Sequence, residues 1–271
     1  MAVSPATSIS TTLEVAGSLI GGTPAKVSGA VACGIDLGTA TCVITVVTAD
    51  GDPVWIDILQ TAAIRDGVVV DFAAAAAATR TLKMRAEAAL GQELRAAATA
   101  FPPCVGEAES RACRFVLEAA DFDDVTLIDE VSAANLALEI RDGVVVDVGG
   151  GSTGVGVFRD GELVTLDDRP GGGHHLDLIL SGALGVDTIE AEQRKRGSTG
   201  EYLATLRPGF EKVAQNIDDL TSGARELPIH LAGGALMYPG AADVVAKFLG
   251  RPVVTYPNAY LITPVGIARA A

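Results

Sequence analysis

The sequence predicts an α/β fold built from two similar lobes. Two segments follow the same pattern: an apolar strand carries an aspartate, a turn of small residues follows, a second strand returns, and an Asp-Gly pair closes the segment. The first runs from Asp36 to Asp50 and the second from Asp147 to Asp160. Between them, alanine-rich stretches of high helix propensity alternate with short β-branched runs. Because two halves repeat the same order of features, we expect a duplicated lobe.

Length, composition and charge narrow the class of protein. The chain has 271 residues, of which 49% are hydrophobic, so a substantial core is expected in one large domain or two ordinary ones. The net charge is −14 and aromatic residues make up only 4%. Such a chain repels phosphate backbones and anionic headgroups and offers few rings for base stacking. We therefore expect neither a nucleic acid nor a membrane among its partners.

Targeting and cysteine patterns predict a cytoplasmic protein. No apolar run is long enough to span a membrane without a charge, and the first basic residue, Lys26, comes too late for a secretory signal. The cysteines lack CxxC spacing and have no histidine at ligand spacing, so we expect reduced, buried thiols and no metal site. They are Cys33, Cys42, Cys104 and Cys113.

Residues 1–29 form an N-terminal extension rich in Ser, Thr, Gly and Ala. Ile9, Leu13, Ala16 and Ile20 would share one face of a helix. Two interpretations stay open at this point. The extension is either a flexible arm or helix packed on the body, or a docking peptide for a partner.

After the extension, the first lobe opens with three strands and continues with alternating helices and strands. Asp50-Gly51 marks the turn of the strand meander, and six consecutive alanines indicate a close-packed helix. Predicted strands cover residues 31–37, 41–48, 54–59, 96–101 and 125–128, and predicted helices cover residues 72–91 and 107–120.

Glycine-rich turns stand between strands in both halves. Residues 149–154 contain GxGxxG, but residues 155–158 continue as a strand, whereas a dinucleotide-binding turn opens a helix. A glycine turn between strands can still bind phosphate through its N–H groups, and Gly38-Thr39-Ala40 would act in the same way. Asp36 and Asp147, just before the turns, could hold hydrated Mg²⁺. The alternative is a pair of ordinary tight hairpins.

A third glycine element follows a short strand near residue 231. Gly233 and Gly234 stand between that strand and a predicted helix over residues 240–249. Without side chains, this turn would let a flat base or a ribose rest on the backbone. The alternative is a simple strand-to-helix turn.

Together these segments resemble the actin/Hsp70/sugar-kinase superfamily of two-lobed nucleotide-binding proteins. Five signature segments of that superfamily occur in order: phosphate loop one, a first connection, phosphate loop two, an adenosine motif and a second connection. They are residues 34–39, 127–134, 147–153, 231–235 and 263–268.

More narrowly, residues 30–271 are similar to the EutJ family, the Hsp70-like proteins of ethanolamine-utilisation operons. Arg65-Asp66-Gly67-Val68-Val69, Ala100-Phe101-Pro102-Pro103, Gly172-Gly173-His174-His175-Leu176 and Lys195-Arg196-Gly197 match the pattern of that family. The resemblance implies duplicated ribonuclease-H-like lobes around a nucleotide cleft. Lobe I would comprise residues 30–135 and 262–271, and lobe II residues 136–261 with a reduced insert subdomain.

The resemblance also implies a site for ATP or ADP with Mg²⁺. Asp36, Asp147 and Glu130 would be catalytic, the two aspartates holding Mg²⁺ through water and Glu130 positioning the attacking water. Thr39, Ser152 and Thr153 would donate hydroxyl groups to phosphate, and Glu192 with Lys195 would contact the ribose and base. The remaining predicted nucleotide-binding residues are Gly38, Ala40, Gly149, Gly150, Gly151, Gly233, Gly234 and Ala235.

Departures from the Hsp70 pattern leave hydrolysis open. Val131 stands where those proteins have proline, Lys83 is not a clear counterpart of their catalytic lysine, and no C-terminal peptide-binding domain follows. The resemblance implies a chaperone-like accessory protein, at most a weak Mg²⁺-dependent ATPase. Its client would be ethanolamine ammonia-lyase or another enzyme of a bacterial microcompartment, with which it would associate. The alternative is an actin-like scaffold that binds nucleotide with little or no hydrolysis.

Overall fold

The computed structural model describes residues 5–27, 29–65 and 67–271. The chain divides into two compact units, the first running to Glu139 and including Leu261–Ala271, and the second comprising Ile140–Tyr260. Residues 1–4 and Ser28 of the N-terminal extension, and Asp66 of the segment quoted above, lie outside the described residues. The first unit extends beyond Asn135 because a helix runs on to Leu138 and is capped by Glu139.

The first unit is a five-stranded mixed sheet with helices packed on it. The strand order is β3-β2-β1-β6-β7, in which β1–β3 are antiparallel and β6 and β7 run parallel to β1; β4 and β5 form a separate small hairpin. Its elements are α1 (Pro5–Ser18), β1 (Val31–Leu37), β2 (Thr41–Thr48), β3 (Pro53–Gln60), β4 (Ile64–Arg65), β5 (Val68–Val69), α2 (Phe72–Leu90), β6 (Ala96–Phe101), α3 (Glu107–Ala119), β7 (Asp124–Asp129), α4 (Glu130–Leu138) and α9 (Ile262–Arg269).

The second unit repeats this sheet. Its strand order is β10-β9-β8-β11-β12, with β8–β10 antiparallel and β11 and β12 parallel to β8. Its elements are β8 (Gly143–Val148), β9 (Ser152–Arg159), β10 (Glu162–Pro170), α5 (Gly173–Leu184), α6 (Thr188–Arg196), α7 (Leu203–Leu220), β11 (Ile229–Ala232), α8 (Ala241–Leu249) and β12 (Val253–Val254). A 3₁₀ turn, Ala235–Met237, separates β11 from α8.

The duplication reaches the level of single hydrogen bonds. The turn after β1 is closed by the Gly38 N–H donating to the Thr41 carbonyl at 3.0 Å, and the turn after β8 by Gly149 N–H donating to the Ser152 carbonyl at 3.2 Å. The third strand of each meander also carries a bulge at the same place in the register. The predicted α/β architecture with a repeated lobe is therefore confirmed.

Each sheet buries a core of its own. Strand β8 is buried along its whole length, and its alternate residues Val144, Val146 and Val148 belong to the core of the second unit. In the first unit, Gly34 and Gly266 allow close packing around α9. A Cβ at Gly34 would overlap Ala268 of α9, and one at Gly266 would overlap the carbonyl of Ala133 in α4. Helix α9, from the end of the chain, thereby packs against β1 and α4.

The N-terminal segment packs on the first unit. Ile9, Leu13 and Ala16 of α1 are buried, as their predicted helical spacing requires. Ile20 is not part of that helix, which ends at Ser18; it forms a β-bridge with Ile56 on the edge of β3. Among the described residues, no helix is both long and apolar enough to cross a membrane.

Candidate functional site

Phosphate loop one is the turn between β1 and β2. Gly38 suits this position because a Cβ would lie 2.8 Å from the Thr41 carbonyl oxygen. The Ala40 carbonyl accepts a hydrogen bond from the Thr61 N–H at 3.3 Å. The N–H groups of Thr39 and Ala40, in contrast, have no acceptor among the residues that the structure describes. Two adjacent donors of this kind can bind an anion.

Asp36 and Glu130 lie toward the same edge of the first sheet. Asp36 is near the carboxyl end of β1, and β7, which runs parallel through β6, ends at Asp129. Asp129 caps α4 by accepting the Ser132 N–H at 2.8 Å, so Glu130 is the first residue of this helix. Burial raises the pKa of Cys113 to about 11, and the charges of Glu130 and Asp36 add to the shift. The thiol therefore stays protonated near both carboxylates.

Phosphate loop two turns all its glycine carbonyls toward one neighbouring segment. Gly149 O accepts the N–H of Gly173 at 2.9 Å, Gly150 O accepts that of His174 at 2.8 Å, and Gly151 O accepts that of Gly171 at 3.0 Å. These donors belong to the Gly171–Gly172 turn and the first residues of α5, where helical N–H groups otherwise lack partners. The loop is thus fixed through its carbonyls.

The N–H groups of loop two, unlike its carbonyls, remain available for a ligand. Within the described ranges, the N–H groups of Gly150 and Gly151 have no hydrogen-bond acceptor. The loop can sit this close to α5 only because Gly172 lacks a side chain: a Cβ there would lie 2.5 Å from Gly149 O and 2.9 Å from Gly150 O. Because the carbonyls of the loop are already hydrogen-bonded and its N–H groups are not, the loop presents donors that are suited to binding phosphate.

Thr153 does not fill the role predicted for it. Its side chain is fully buried, and its hydroxyl donates to the Gly171 carbonyl at 2.6 Å. The hydroxyl therefore braces the turn beneath the loop and is not free to donate to phosphate. Ser152 is only partly buried, like Gly149 and Gly150, so its predicted contact with phosphate stays a prediction.

Asp147 and Gly233 are direct neighbours in the second sheet. Ala232 of β11 pairs with Asp147 of β8, and Gly233 follows with a φ of +83°. A Cβ at Gly233 would overlap the Asp147 carboxylate and the Val148 carbonyl. The predicted adenosine motif therefore lies against the aspartate that precedes loop two, and glycine is required both by conformation and by space. Asp147 itself is buried, with 8% of its surface exposed.

Glu192 and Lys195 lie on α6 but have different surroundings. The Lys195 Nζ forms an ion pair with Asp177 Oδ1 at 2.6 Å and donates to the Gly173 carbonyl at 2.9 Å. Burial raises the pKa of Asp177, and this ion pair opposes the shift. Glu192 instead pairs with Arg196 at 2.6 Å on the exposed side. Lys195 is thus linked to loop two through Gly173, while a contact of either residue with ribose or base stays a prediction.

A cavity of about 290 Å³ opens beside Gly233. It lies between the 3₁₀ turn, the start of α8 and the segment after β12, with Leu236, Asp243, Tyr256 and Asn258 among its lining residues. Neither Glu192 nor Lys195 lines it. Gly234 is exposed next to this cavity, and Ala235 begins the 3₁₀ turn.

Lys83, His174 and His175 are the other candidate functional groups that the sequence contains. Lys83 donates to the carbonyl of Asp121 and lies over the Phe122 ring at 4.7 Å, so it serves the packing of α2. His174 and His175 lie in the first turn of α5, which begins at Gly173. In the described part of the chain, no cluster of three or more His, Cys, Asp or Glu side chains could hold a metal ion. Mg²⁺ commonly binds through only one or two carboxylates together with water and phosphates, so the metal-binding roles of Asp36 and Asp147 stay predictions.

Sequence reasoning missed the residues that support loop two. Gly171 has a φ of +133°, which favours glycine, and Asn216 of α7 donates to the neighbouring Pro170 carbonyl at 3.1 Å. The second glycine triplet, residues 171–173, is the sequence signal for this turn, although it does not indicate that the turn contacts loop two. Asp168 carries no sequence signal, because its role depends on burial.

Comparison with known proteins supports this interpretation of the fold. The MreB/Mbl protein family matches residues 55–181. MreB 5 of Spiroplasma citri, in a crystal structure bound to AMPPNP, has a TM-score of 0.72 at 17% identity and covers 89% of this chain and 95% of that one. At this identity the likeness shows the fold alone, and it confirms the predicted two-lobed actin-like class.

Two comparisons are much closer in sequence. The ethanolamine utilization protein EutJ of Escherichia coli strain K12 is 34% identical over 257 residues, which cover 94% of this chain and 91% of that protein. The crystal structure of EutJ from Carboxydothermus hydrogenoformans has a TM-score of 0.95 at 35% identity and covers 99% of this chain and 100% of that one. Because the similarity extends over nearly the whole of each chain and includes the loops described above, the chain belongs to the EutJ family of ethanolamine utilization proteins.

Proposed function

We propose that this chain binds MgATP or MgADP, and that the bound nucleotide controls its action on a protein client in ethanolamine utilisation. The observation that carries the proposal is the polarity of loop two. Its carbonyls are occupied by the Gly171–His174 segment, its Gly150 and Gly151 N–H groups are left for an anion, and Asp147 with Gly233 lies next to it. Phosphate, Mg²⁺ and a nucleoside are the groups that such neighbours suit.

The chemistry follows from charge. Bound Mg²⁺ would neutralise charge on the phosphates, with Asp147, which directly precedes loop two, as an oxygen ligand through water. The loop N–H groups would hold the phosphate oxygens in fixed positions, and Glu130 would orient a water for attack. Support for nucleotide as the ligand comes from MreB 5 of Spiroplasma citri, which has the same fold and was crystallised with AMPPNP.

For the client we propose ethanolamine ammonia-lyase or another enzyme of the microcompartment, with the chain acting as a cytoplasmic, chaperone-like accessory. The names of the EutJ relatives support the pathway, and the Hsp70-like motifs support the mode of action. A scaffold that binds nucleotide with little hydrolysis is the second candidate. The contacts of Lys83, the one lysine between the first loop and Asp129, favour this candidate. Its ammonium group donates to the Asp121 carbonyl and lies over the Phe122 ring, so it serves packing and not hydrolysis. Multiple-turnover phosphate release separates the two.

A thermal-shift experiment tests nucleotide binding. With MgATP or MgADP at about 100 times its Kd, the free energy of unfolding should rise by roughly 2.7 kcal/mol, because ligand binds only the folded state. Melting temperatures are measured with nucleotide and Mg²⁺, with each alone, and with neither. Absence of a shift with both nucleotides at millimolar concentration would rule out the proposal.

Two glycine variants in one region of the second unit make the test specific for loop two. Gly172→Ala would push a methyl group into the carbonyls of Gly149 and Gly150, so the nucleotide-dependent shift should be lost. Gly182→Ala is the control, because a methyl group at this exposed position of α5 meets no atom within 4 Å. It should keep the full shift and gain up to about 1 kcal/mol of stability from helix propensity. Equal shifts in both variants would contradict the assignment of loop two.

A further inference from the structure

The two sheets have equivalent outer edges, and these edges differ in whether another segment of the chain covers them. Strands β3 and β10 are edge strands at equivalent ends of the two sheets. Both are bulged at the same register position, at Val54 in β3 and at Val164 in β10. Because the registers match, equivalent backbone groups point outward on both strands. The segment that covers one edge therefore indicates the kind of segment that the other edge can bind.

In the first unit, the edge is covered by the chain itself. The Gly21 N–H donates to the Ile56 carbonyl at 3.0 Å, and the Ala25 N–H donates to the Val54 carbonyl at 2.9 Å. With this segment in place, Val54 is 2% exposed and Ile56 is fully buried. A short segment of small and apolar residues thus satisfies two carbonyls of the edge, through two backbone hydrogen bonds and one β-bridge, and covers its side chains.

In the second unit, the equivalent edge is open. Val164 is 56% exposed and Leu163 is 37% exposed. No segment of the described chain pairs with the outer side of β10. By the matched register, the carbonyls corresponding to those of Val54 and Ile56 belong to Val164 and Leu166. An edge that offers backbone acceptors beside exposed apolar side chains is suited to strand addition.

Charge specifies what such a segment carries. Both arginines of this hairpin have acidic partners: Arg159 pairs with Glu226 at 2.5 Å and Arg169 with Asp167 at 2.8 Å. Glu162, which precedes the exposed Leu163 and Val164, has no ion-pair partner among the residues described. The guanidinium of Arg141 lies at the Asp160–Gly161 turn, but the carboxylates of Asp142, Asp160 and Glu162 outnumber it, so this end of the edge has a net negative charge. In the segment that covers β3, the residue directly after Ala25 is basic, Lys26.

The bulge and Glu162 also argue against a second copy of the chain. Bulges and edge charges keep identical edges from pairing with each other, since like charges meet and the ladder is interrupted. A partner with complementary charge meets no such repulsion. We propose that the open edge of β10 binds an extended segment of a partner protein by strand addition, apolar where it passes Val164 and basic where it passes Glu162.

A peptide with the sequence of residues 19–27 of this chain, labelled with fluorescein, serves as the probe. It copies the segment that covers β3, including Lys26. Binding to the full-length protein is measured by fluorescence anisotropy. Val164→Glu should weaken binding about tenfold or more. Phe248→Glu, which places the same charge at an exposed apolar residue of α8, should leave binding unchanged.

A second test exchanges the charges of the protein and the peptide, so that the result does not depend on whether the Val164→Glu variant folds. Glu162→Lys should weaken binding of this peptide and strengthen binding of a version with Lys26→Glu. No binding of the probe at millimolar concentration, or equal binding by the Val164→Glu variant, would overturn the proposal. Self-association in sedimentation that Val164→Glu abolishes would also overturn it, because the edge would then belong to a second copy.

Discussion

Asp168 shows how one residue couples the edge strand to loop two. It lies on β10, and its Oδ1 atom is buried without a hydrogen-bond partner among the described residues. Burial raises the pKa of Asp168 to about 6, a hydrogen bond from Ser152 opposes the shift, and the charge of Asp167 adds to it. The carboxylate therefore titrates close to neutral pH beside a residue of the phosphate loop.

This shift predicts a pH-dependent loss of stability. Because the pKa is higher in the folded protein than in the unfolded chain, the folded state holds its proton more tightly. The stabilisation is complete below about pH 4 and is lost as the pH rises through about 6. Asp168→Asn keeps the shape and cannot ionise, so its melting temperature should rise relative to the parent between pH 4.5 and 7.5.

The control for this prediction is Asp124→Asn, which removes an exposed carboxylate from β7. Its melting temperature should follow the parent across the same pH range. If the difference between parent and Asp168→Asn stays constant with pH, the carboxylate is not held protonated by burial in the folded protein.

Sequence reasoning reached the residues of the loops more easily than their partners. Gly149–Gly151 and Gly233 stand out because glycine between strands marks a turn, and Asp147 stands out by its place before one. The close approach of Gly172 to Gly149 O joins two turns whose residues are 23 positions apart in sequence, and only the fold brings them together. Likewise, the burial of Thr153 reverses the role that a hydroxyl in a phosphate loop suggests.

At the scale of elements, α1 is the part whose role the sequence left open. The helical spacing of Ile9, Leu13 and Ala16 was predictable, but the surface that they cover was not. The chain leaves the helix at Ser18 so that Ile20 and Gly21 can pair with β3. The pairing belongs to an edge of the sheet, and helical periodicity carries no information about it.

This packing predicts that α1 contributes to the stability of the first unit. Leu13 is fully buried, so Leu13→Ala should cost about 3 kcal/mol of unfolding free energy, through lost burial and the cavity left behind. Val15, on the same helix, is 45% exposed, and Val15→Ala should change stability by no more than about 0.5 kcal/mol. Urea unfolding of both variants measures the difference. Equal, small effects would mean that α1 acts as a free arm.

At the scale of the whole molecule, the repeat was the most informative sequence feature. Aspartate, small turn, return strand and Asp-Gly occur in the same order in both halves, and the two sheets have matching strand orders, turns and bulges. A repeat predicts similarity but does not predict differences between copies. The cover on β3 and the open edge of β10 could therefore not be predicted from it.

The proposed function predicts different effects for carboxylates in the two units. Asp147, assigned to Mg²⁺, should affect the ground state, so Asp147→Asn should weaken Mg²⁺-dependent nucleotide binding about tenfold or more, and lower any turnover as well. Glu130, assigned to the attacking water, matters mainly in the transition state. Glu130→Gln should lower turnover while nucleotide affinity stays nearly unchanged.

Calorimetry gives the affinity of each variant, and multiple-turnover phosphate release gives the rate. Both substitutions keep the shape of the side chain, so a matching melting temperature without nucleotide serves as the control for folding. Full turnover in Glu130→Gln would remove Glu130 from its role. If the parent protein binds nucleotide but releases no phosphate, only the affinities remain to be compared. The bound nucleotide would then act by setting the conformation of the protein, which is the behaviour expected of the scaffold.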